Sequence, residues 1–217
     1  MSEMTNITTE ASDSPVSNKT VLRLDDVRKS FGNTQVLRGI SFDIHQHEVV
    51  ALLGPSGSGK STLMKCVNLL EQVDDGQIWL GNTDITDPRA DQDKIRARIG
   101  VVFQQFNLFN NMTVFDNCMA GVHKVKKRSR EYSTEICMKY LEKVGMAPYV
   151  KAKPHQLSGG MKQRTVIAIS TILSPKVLIA DEPSSALDVT SQKMVIKMMR
   201  DLMEKGFIKS MIFITHE

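Results

Sequence analysis

The sequence is poor in cysteine, and its three cysteines, Cys66, Cys118 and Cys137, lie far apart. Their odd number and wide spacing argue against a disulfide framework and against a zinc site, which needs closely spaced ligands. No apolar run reaches the roughly 18 residues that a membrane-spanning helix requires. Residues 1–20 also lack the basic-then-apolar order of a secretory signal peptide. We therefore expect free thiols in a reducing, cytosolic compartment, with any membrane contact made through a partner or a surface.

The composition is suited to one folded core. The chain has 217 residues, of which 41% are hydrophobic, and this is enough for a sizeable α/β core. Residues 1–20 are rich in Ser, Thr and Asn, and we expect them to form a disordered tail. Beyond them we expect a single domain over residues 21–217, in which no internal repeat is visible.

Short apolar runs alternate with stretches of helical spacing. The runs that predict strands are Glu48–Leu53, Gln77–Leu80, Gly100–Phe103, Val177–Ala180 and Met211–Thr215. The stretches that predict helices are Ser61–Leu70, Phe115–Val150, Ser158–Leu173 and Val189–Met203. This alternation predicts an α/β fold with a mostly parallel sheet, covered on both faces and interrupted by a helical insertion.

A glycine-rich loop follows the first of these strands and opens a helix, which is the context that a phosphate-binding loop requires. Its glycines let backbone N–H groups converge on a β-phosphate, Lys60 adds a positive charge, and the Ser61 hydroxyl can ligate Mg²⁺. The helix directs its positive dipole end at the same phosphates. No Asn-Lys-X-Asp guanine motif follows, which argues against a GTPase. The predicted nucleotide-binding residues are Gly54, Pro55, Ser56, Gly57, Ser58, Gly59, Lys60, Ser61 and Thr62.

Polar residues follow three of the predicted strands. Asp181 and Glu182 come directly after Val177–Ala180, at the carboxyl end where open α/β sheets bind their ligands. We expect Asp181 to hold Mg²⁺ and Glu182 to polarise the attacking water. Gln104 follows another strand and is expected to orient water or reach Mg²⁺. For His216, after the last strand, contact with the γ-phosphate and a purely structural role both stay open.

A second glycine loop, Leu157-Ser158-Gly159-Gly160, opens the helix that begins at Ser158. A helix N-terminus preceded by glycines favours anion binding, because its backbone N–H groups are unpaired and its dipole end is positive. A simple nucleotide-binding domain would not need two such loops. The pair therefore indicates a second phosphate contact.

These residues, in this order, resemble the ATP-binding cassette (ABC) family, specifically the ATPase subunits of importers. Phe31 matches the aromatic that stacks on adenine, Gly54–Ser61 the Walker A loop, Gln104 the Q-loop glutamine, Leu157–Gly160 the signature loop, Asp181 and Glu182 the Walker B aspartate and catalytic glutamate, Ser185–Asp188 the D-loop, and His216 the switch histidine. The resemblance covers roughly residues 21 to 217. It implies a P-loop NTPase core with an N-terminal antiparallel β portion and an inserted α-helical subdomain at about residues 105–165.

The resemblance also implies cofactors and partners. The cofactors would be ATP and Mg²⁺, with Ser61, Gln104 and Asp181 as the metal-site residues. The partners would be a second ATPase subunit in a homodimer or heterodimer, integral membrane permease subunits and, through the permease, an extracytoplasmic substrate-binding protein. In the head-to-tail dimer, Ser158 and Gly160 of one subunit would cap the ATP held by the other. The protein would then be peripheral, at the cytoplasmic face of the plasma membrane, and would not bind nucleic acid.

The match to the family is imperfect in four places. His47 stands where the family usually has Gly. Met161 stands where the family usually has Gln, although peptide importers resemble this variant. Residues 98–157 resemble polar amino-acid importers, whereas residues 158–216 resemble peptide importers, so we hypothesise a divergent or composite sequence joined near the signature loop. The sequence stops at Glu217, directly after the switch histidine, where family members continue. We therefore expect a truncated form that binds ATP and turns it over weakly.

Uptake of polar amino acids is the favoured function, because the helical subdomain, which meets the permease, has the amino-acid character. Uptake of peptides comes second, and a related ATPase of cell division or lipoprotein release is a further alternative. ATPases of chromosome maintenance share the signature loop but place a long coiled coil before it. No sustained heptads occur between Lys60 and Ser158, which argues against that class.

Overall fold

The computed structural model describes residues 7–8, 17–126, 129–185 and 187–215, with the backbone alone at 7–8, 17–18 and 123–126. These residues form two compact units. The first contains the residues up to Val101, Lys176–Asp181 and the residues from Lys209 on, and the second contains Val102–Pro175 and Glu182–Ile208. The helices predicted for residues 105–165 lie in the second unit, which also takes in the helix after Asp188. That residues 21–217 act as a single domain stays a prediction.

The strands are β1 (Ile7–Thr8), β2 (Ser17–Phe31), β3 (Thr34–Gln46), β4 (Val49–Leu53), β5 (Asp75–Leu80), β6 (Thr83–Asp84), β7 (Ile99–Val102), β8 (Val177–Asp181) and β9 (Ser210–Thr215). One sheet has the order β1-β4-β9-β8-β7, and β4, β9 and β8 pair in parallel. Residues 177–180 of β8 are all buried, as a strand covered on both faces requires. This confirms the mostly parallel sheet predicted from the apolar runs.

A second sheet has the order β3-β2-β5-β6, and its strands pair antiparallel. It is the antiparallel β portion that the family resemblance implied. Strand β2 begins at Ser17, within the segment 1–20 expected to be disordered; of the residues before it, the structure describes only Ile7–Thr8. Buried side chains of both sheets, among them Leu22, Ile78 and Ile212, belong to one hydrophobic core.

The helices of the first unit are α1 (Lys60–Val67) and α2 (Gln92–Arg96), and those of the second are α3 (Val114–Lys126), α4 (Arg130–Lys143), α5 (Gly159–Thr171) and α6 (Val189–Glu204). Helix α3 packs against α4 and α5, and α5 packs against α6. The helical pattern predicted over Phe115–Val150 is thus divided between α3, α4 and a 3₁₀ turn at Ala147–Tyr149. Throughout the described ranges, no helix combines the length and the apolar character that crossing a bilayer requires. The three cysteines are free thiols, as predicted.

Candidate nucleotide-binding site

The glycine-rich loop joins β4 to α1 and encloses the ammonium group of Lys60. Lys60 Nζ donates to the carbonyl oxygens of Gly54 at 2.6 Å and of Pro55 at 2.9 Å, and the side chain is only 6% exposed. A buried ammonium held by carbonyls of its own loop fixes the curvature of that loop. It also places a full positive charge at the loop, where phosphate oxygens would lie.

Gly57 and Gly59 of this loop have left-handed backbone and differ in their surroundings. At Gly57, with φ +81°, no atom of the residues that the structure describes lies within 4 Å of the position that a Cβ would take. At Gly59, with φ +96°, a Cβ would lie 3.2 Å from side-chain atoms of both Val36 and Leu37. Gly59 is therefore required for the close approach of the loop to β3, whereas Gly57 leaves room beside the loop for a ligand.

The N-terminus of α1 is suited to an anion. Within the described residues, α1 has no side-chain N-cap and no acidic residue in its first turn. Its first backbone N–H groups and the positive end of its dipole therefore have no carboxylate of this helix beside them. Ser61 and Thr62 lie in this first turn, with the Ser61 side chain exposed. The loop and the helix end together fit a phosphate chain.

Asp181 lies at the same edge of the sheet as the loop. The parallel register pairs Leu53 with Thr215 and Asp181 with Ile214, so β4 and β8 reach their carboxyl ends together. Since β9 separates them, the two strand ends are about 10 Å apart, which is twice the usual strand spacing. The hydroxyl of Ser61 and the carboxylate of Asp181 are oxygen donors of the kind that Mg²⁺ prefers. The residues present in the first unit therefore fit a magnesium nucleotide.

Phe31 ends β2 and is 48% exposed, as an aromatic that stacks on a base must be. Lys29 Nζ lies 5.3 Å from the centroid of its ring and forms ion pairs with Asp74 at 3.0 Å and Glu71 at 3.2 Å. The other Asp74 oxygen accepts from the backbone N–H of Ser30 at 2.6 Å. Hydrogen bonds from Lys29 and Ser30 lower the pKa of Asp74 below its ordinary value. Asp74 therefore fixes the end of β2.

The second unit carries Gln104, Ser158, Gly159, Gly160, Glu182 and Asp188. Gln104 is exposed, two residues beyond the end of β7. Glu182 has φ +45°, an uncommon backbone conformation for a residue other than glycine. Ser185 holds this turn by donating its backbone N–H at 3.2 Å and its hydroxyl at 3.1 Å to the Glu182 carbonyl.

The signature loop has a structural role that the sequence analysis did not predict. Ser158 is the N-cap of α5, and its hydroxyl accepts from the Met161 N–H at 3.3 Å. A Cβ on Gly160 would lie 3.1 Å from Ser191 Oγ, which is tighter than an ordinary contact, so the absence of a side chain at this position favours the close packing of α5 on α6. Asp188, predicted to contact nucleotide, is the N-cap of α6 and accepts from the Ser191 N–H at 3.0 Å and hydroxyl at 2.7 Å. These hydrogen bonds lower the pKa of Asp188.

The structure thus brings the phosphate loop and Asp181 to one sheet edge, and it places Phe31 in the same unit. His216 lies outside the described residues. Asp74 was missed by the sequence analysis. It lies 44 positions from Ser30 and no local pattern marks the pair. The described residues contain no cluster of His, Cys, Asp and Glu that could hold a metal by itself.

The model of the ABC transporter family matches residues 37–185, which include the phosphate loop, the signature loop and Asp181. The chain belongs to the ABC transporter family. The glutamine transport ATP-binding protein GlnQ of Escherichia coli is 42% identical over 197 residues, which are 91% of this chain and 81% of GlnQ. The arginine transport ATP-binding protein ArtM of Bacillus subtilis is 43% identical over the same shares of the two chains.

Solved ABC structures share the fold. The cbiO1 protein of Clostridium perfringens, part of the ABC transporter complex cbiONQ, matches with a TM-score of 0.84 at 29% identity over 92% of this chain and 80% of its own. The cassette MJ0796, dimeric and bound to ADP and Pi in a post-hydrolysis state, matches with a TM-score of 0.78 at 29% identity over 90% of this chain and 88% of its own. The predicted P-loop NTPase fold and ABC family are therefore confirmed.

These matches bear on the seam hypothesised near Leu157. A stretch of 197 aligned residues in a chain of 217 necessarily extends well beyond the signature loop. The similarity of this ABC protein to amino-acid transport ATPases is thus not limited to the part before Leu157. That the part after Leu157 resembles peptide importers more closely stays a prediction.

Proposed function

We propose that this chain is the ATPase subunit of an ABC importer that drives the uptake of polar amino acids by hydrolysing ATP to ADP and phosphate. The observation that carries the chemistry is the position of the Lys60 loop and Asp181 at the carboxyl edge of one parallel sheet. The cargo is proposed from the glutamine and arginine transport ATPases, which are more than 40% identical to this chain.

In this proposal, the nucleotide is held mainly by the first unit. Phe31 stacks on adenine, and the backbone N–H groups of the loop and Lys60 hold the β- and γ-phosphates. Ser61, Asp181 and Gln104 would hold Mg²⁺, which supplies charge neutralisation at the β- and γ-oxygens. The remaining loop residues Gly54 to Gly59, with Thr62, shape this contact.

Hydrolysis needs a group that orients and polarises water. Glu182 directly follows Asp181, and its left-handed backbone turns the chain away from the direction of β8. A carboxylate near the γ-phosphate can accept a proton from the attacking water, so we assign Glu182 as the general base. Gln104 orients the water, and His216 contacts the γ-phosphate.

The signature loop points to a dimer. Two copies of the chain, or this chain and a related one, would pair head to tail. The nucleotide of one subunit would be capped by Ser158, Gly159 and Gly160 of the other. Asp188 would lie near this shared nucleotide. Dimer closure would be transmitted to integral membrane permease subunits and so to an extracytoplasmic substrate-binding protein. The chain would act at the cytoplasmic face of the membrane.

Glu182→Gln tests the assigned base. The amide keeps the size of the side chain but cannot accept the proton, so turnover is expected to fall by at least about a hundredfold while ATP still binds and dimers accumulate. Phosphate release, fluorescent-ATP binding and size-exclusion chromatography measure the three effects. Glu142→Gln, at an exposed position of α4, is the matched control. Unchanged turnover in Glu182→Gln would refute the assignment.

The cargo is tested separately. Membrane subunits that co-purify with the chain would be placed in lipid vesicles with ATP inside, and uptake of labelled glutamine, arginine and a dipeptide would be compared. ATP-dependent uptake of the amino acids alone is expected. Uptake of the dipeptide alone would overturn the proposed cargo and leave the ATPase assignment in place.

A further inference from the structure

A groove on the second unit runs along α6, beside the end of α4. It has a volume of about 240 Å³, and the residues that line it include Lys143, Met194, Lys197, Met198, Asp201 and Lys205. The positions on α6 follow a spacing of three and four residues, so they share one face of the helix. We call this feature the α6 groove. None of its residues belongs to the proposed nucleotide site.

The rim of the α6 groove is cationic. Within the part of the chain that the structure describes, no ion pair joins Lys143, Lys197 or Lys205 to a carboxylate. Asp201 is the only acidic residue among those that line the groove in this part of the chain, so three positive charges face one negative charge. The ends of α4 and α6 add about half a negative charge each, which is too little to reverse the sign.

Lys143 lies at the α4 end of the groove, against an aromatic ring. Its Nζ lies 3.2 Å from the centroid of the Phe207 ring, so an aromatic face rather than a carboxylate is its neighbour. Removal from water, together with the charges of Lys139 and Lys205, lowers the pKa of Lys143. An anion in the groove would offset the repulsion between these lysines.

The floor of the α6 groove is apolar and adaptable. Met194 is 51% exposed, Met198 is half-buried, and Leu202, which also lines the groove, is 4% exposed. Methionine side chains rearrange around partners of different shape and are frequent at protein-binding surfaces. The volume of the groove is enough for one large apolar side chain between Met194 and Met198.

The kind of occupant follows from shape and charge. Small-molecule sites enclose most of their ligand, whereas the lysines and Met194 leave this groove open to solvent. Anionic membranes are typically bound by clusters of about four to eight Lys and Arg, and here three lysines alternate with Asp201. An extended or helical protein segment requires less enclosure and can match both the apolar floor and the cationic rim.

We propose that the α6 groove binds an acidic amphipathic segment of a partner protein, with an apolar side chain of that segment between Met194 and Met198 and its carboxylates against Lys143, Lys197 and Lys205. The α6 groove contains none of the residues proposed for ATP binding and hydrolysis. A partner bound there would therefore be a further protein, linked to the ATPase without occupying its nucleotide site. The partner is identified only by this chemistry.

The probe is a short fluorescent peptide in which leucines lie one helical turn apart among glutamates, and anisotropy measures its binding to the full chain. The double variant Lys197→Glu/Lys205→Glu is expected to weaken binding by roughly tenfold or more, because attraction at the rim becomes repulsion. Lys193→Glu/Arg200→Glu is the matched control, since it makes the same total charge change at two exposed positions of α6 that do not line the groove. The urea unfolding midpoint and ATP binding should be equal in all variants, which would show that they are folded.

Two other measurements separate the occupants. A peptide with serines in place of the leucines, and the Met194→Ser variant, should each bind several-fold more weakly if the apolar floor takes part. Equal binding of both peptides, or equal weakening by Lys193→Glu/Arg200→Glu and by Lys197→Glu/Lys205→Glu, would overturn the proposal. So would binding to vesicles of anionic lipid through Lys197 and Lys205 with no binding of the peptide.

Discussion

Gly160 offers a way to separate the two roles of the signature loop, contact with a phosphate and packing between helices. In the Gly160→Ala variant, the new methyl group would lie 3.1 Å from Ser191 Oγ and 3.4 Å from Ser191 Cβ. The first distance is shorter than an ordinary contact, so Ser191 must move by a few tenths of an ångström. Ser191 holds both carboxylate oxygens of Asp188, the N-cap of α6.

The expected change in stability is small, because two effects oppose each other. Disturbing an N-cap interaction costs about 1 kcal/mol, whereas replacing glycine by alanine inside a helix stabilises it by roughly 0.5–1 kcal/mol. We therefore expect the free energy of unfolding of Gly160→Ala to stay within about 1 kcal/mol of the wild type. Urea unfolding measures it.

The expected change in turnover is much larger. If the N–H of Gly160 contacts a γ-phosphate across the dimer, a methyl group at this position displaces that contact, and losing one such donor typically lowers the rate on the order of a hundredfold. The double variant Gly160→Ala/Ser191→Ala removes the hydroxyl that the methyl meets and so restores the packing. Its turnover should stay as low as that of Gly160→Ala.

Two results would refute this reasoning. Turnover of Gly160→Ala within a few-fold of the wild type would show that the loop makes no demanding contact with phosphate. Recovery of turnover in the double variant would show that Gly160 is needed only for the packing of α5 on α6. Ser191→Ala alone is the control, and phosphate release is the assay.

Three further predictions depend on single contacts. Gly76→Ala drives a methyl group into the backbone of β2 and should lose at least about 3 kcal/mol of unfolding free energy. Gly206→Ala has a similar left-handed φ but meets no atom of the described residues within 4 Å, so it should lose only about 1 kcal/mol. Equal urea midpoints for the two variants would contradict the clash at Gly76. The Lys29 ammonium lowers the folded-state pKa of Asp74. The pair therefore stabilises the folded chain at pH values above the ordinary carboxyl pKa of about 3.9. This stabilisation is lost as the pH falls through the lower, folded-state pKa. Asp74→Asn should therefore give a shallower acid limb in unfolding curves measured against pH, and a limb as steep as that of the wild type would refute the linkage. Burial raises the pKa of Cys66 to about 11, so a thiol reagent should label Cys66 slowly in the native chain and fast in urea. Equal labelling rates in the native and the urea-unfolded chain would contradict this prediction.

The parallel core and the phosphate loop could be predicted because their signals are local. An apolar run without polar alternation, followed at once by glycines and Lys60, predicts a buried strand, a loop and a helix from neighbouring residues alone. The helical insertion was predicted less sharply, as one pattern over Phe115–Val150. Two residues mark the ends of α4 within this pattern. Ser129 is the N-cap of α4, and Gly145, with φ +68°, follows its C-cap.

The contacts that position the candidate site could not be predicted in the same way. Asp74 reaches Lys29 and the Ser30 amide across 44 to 45 positions, and it is the pairing of β2 with β5 that brings them together. The tight contact at Gly160 likewise depends on Ser191, which belongs to another helix. A motif identifies the residue type at such a position, but only tertiary structure shows which of its neighbours requires it.

Glu182 shows why this difference matters for function. Asp181 ends β8 with ordinary strand geometry, whereas the next residue adopts φ +45° and is held there by two hydrogen bonds from Ser185 to its carbonyl. A left-handed glutamate costs about 1 kcal/mol or more, and such strain persists only where surrounding contacts enforce it. Two adjacent carboxylates on a regular strand would point to opposite faces of the sheet. The strained turn releases Glu182 from that alternation, and this allows neighbouring residues to take the separate roles proposed for them, one at the metal and one at the water.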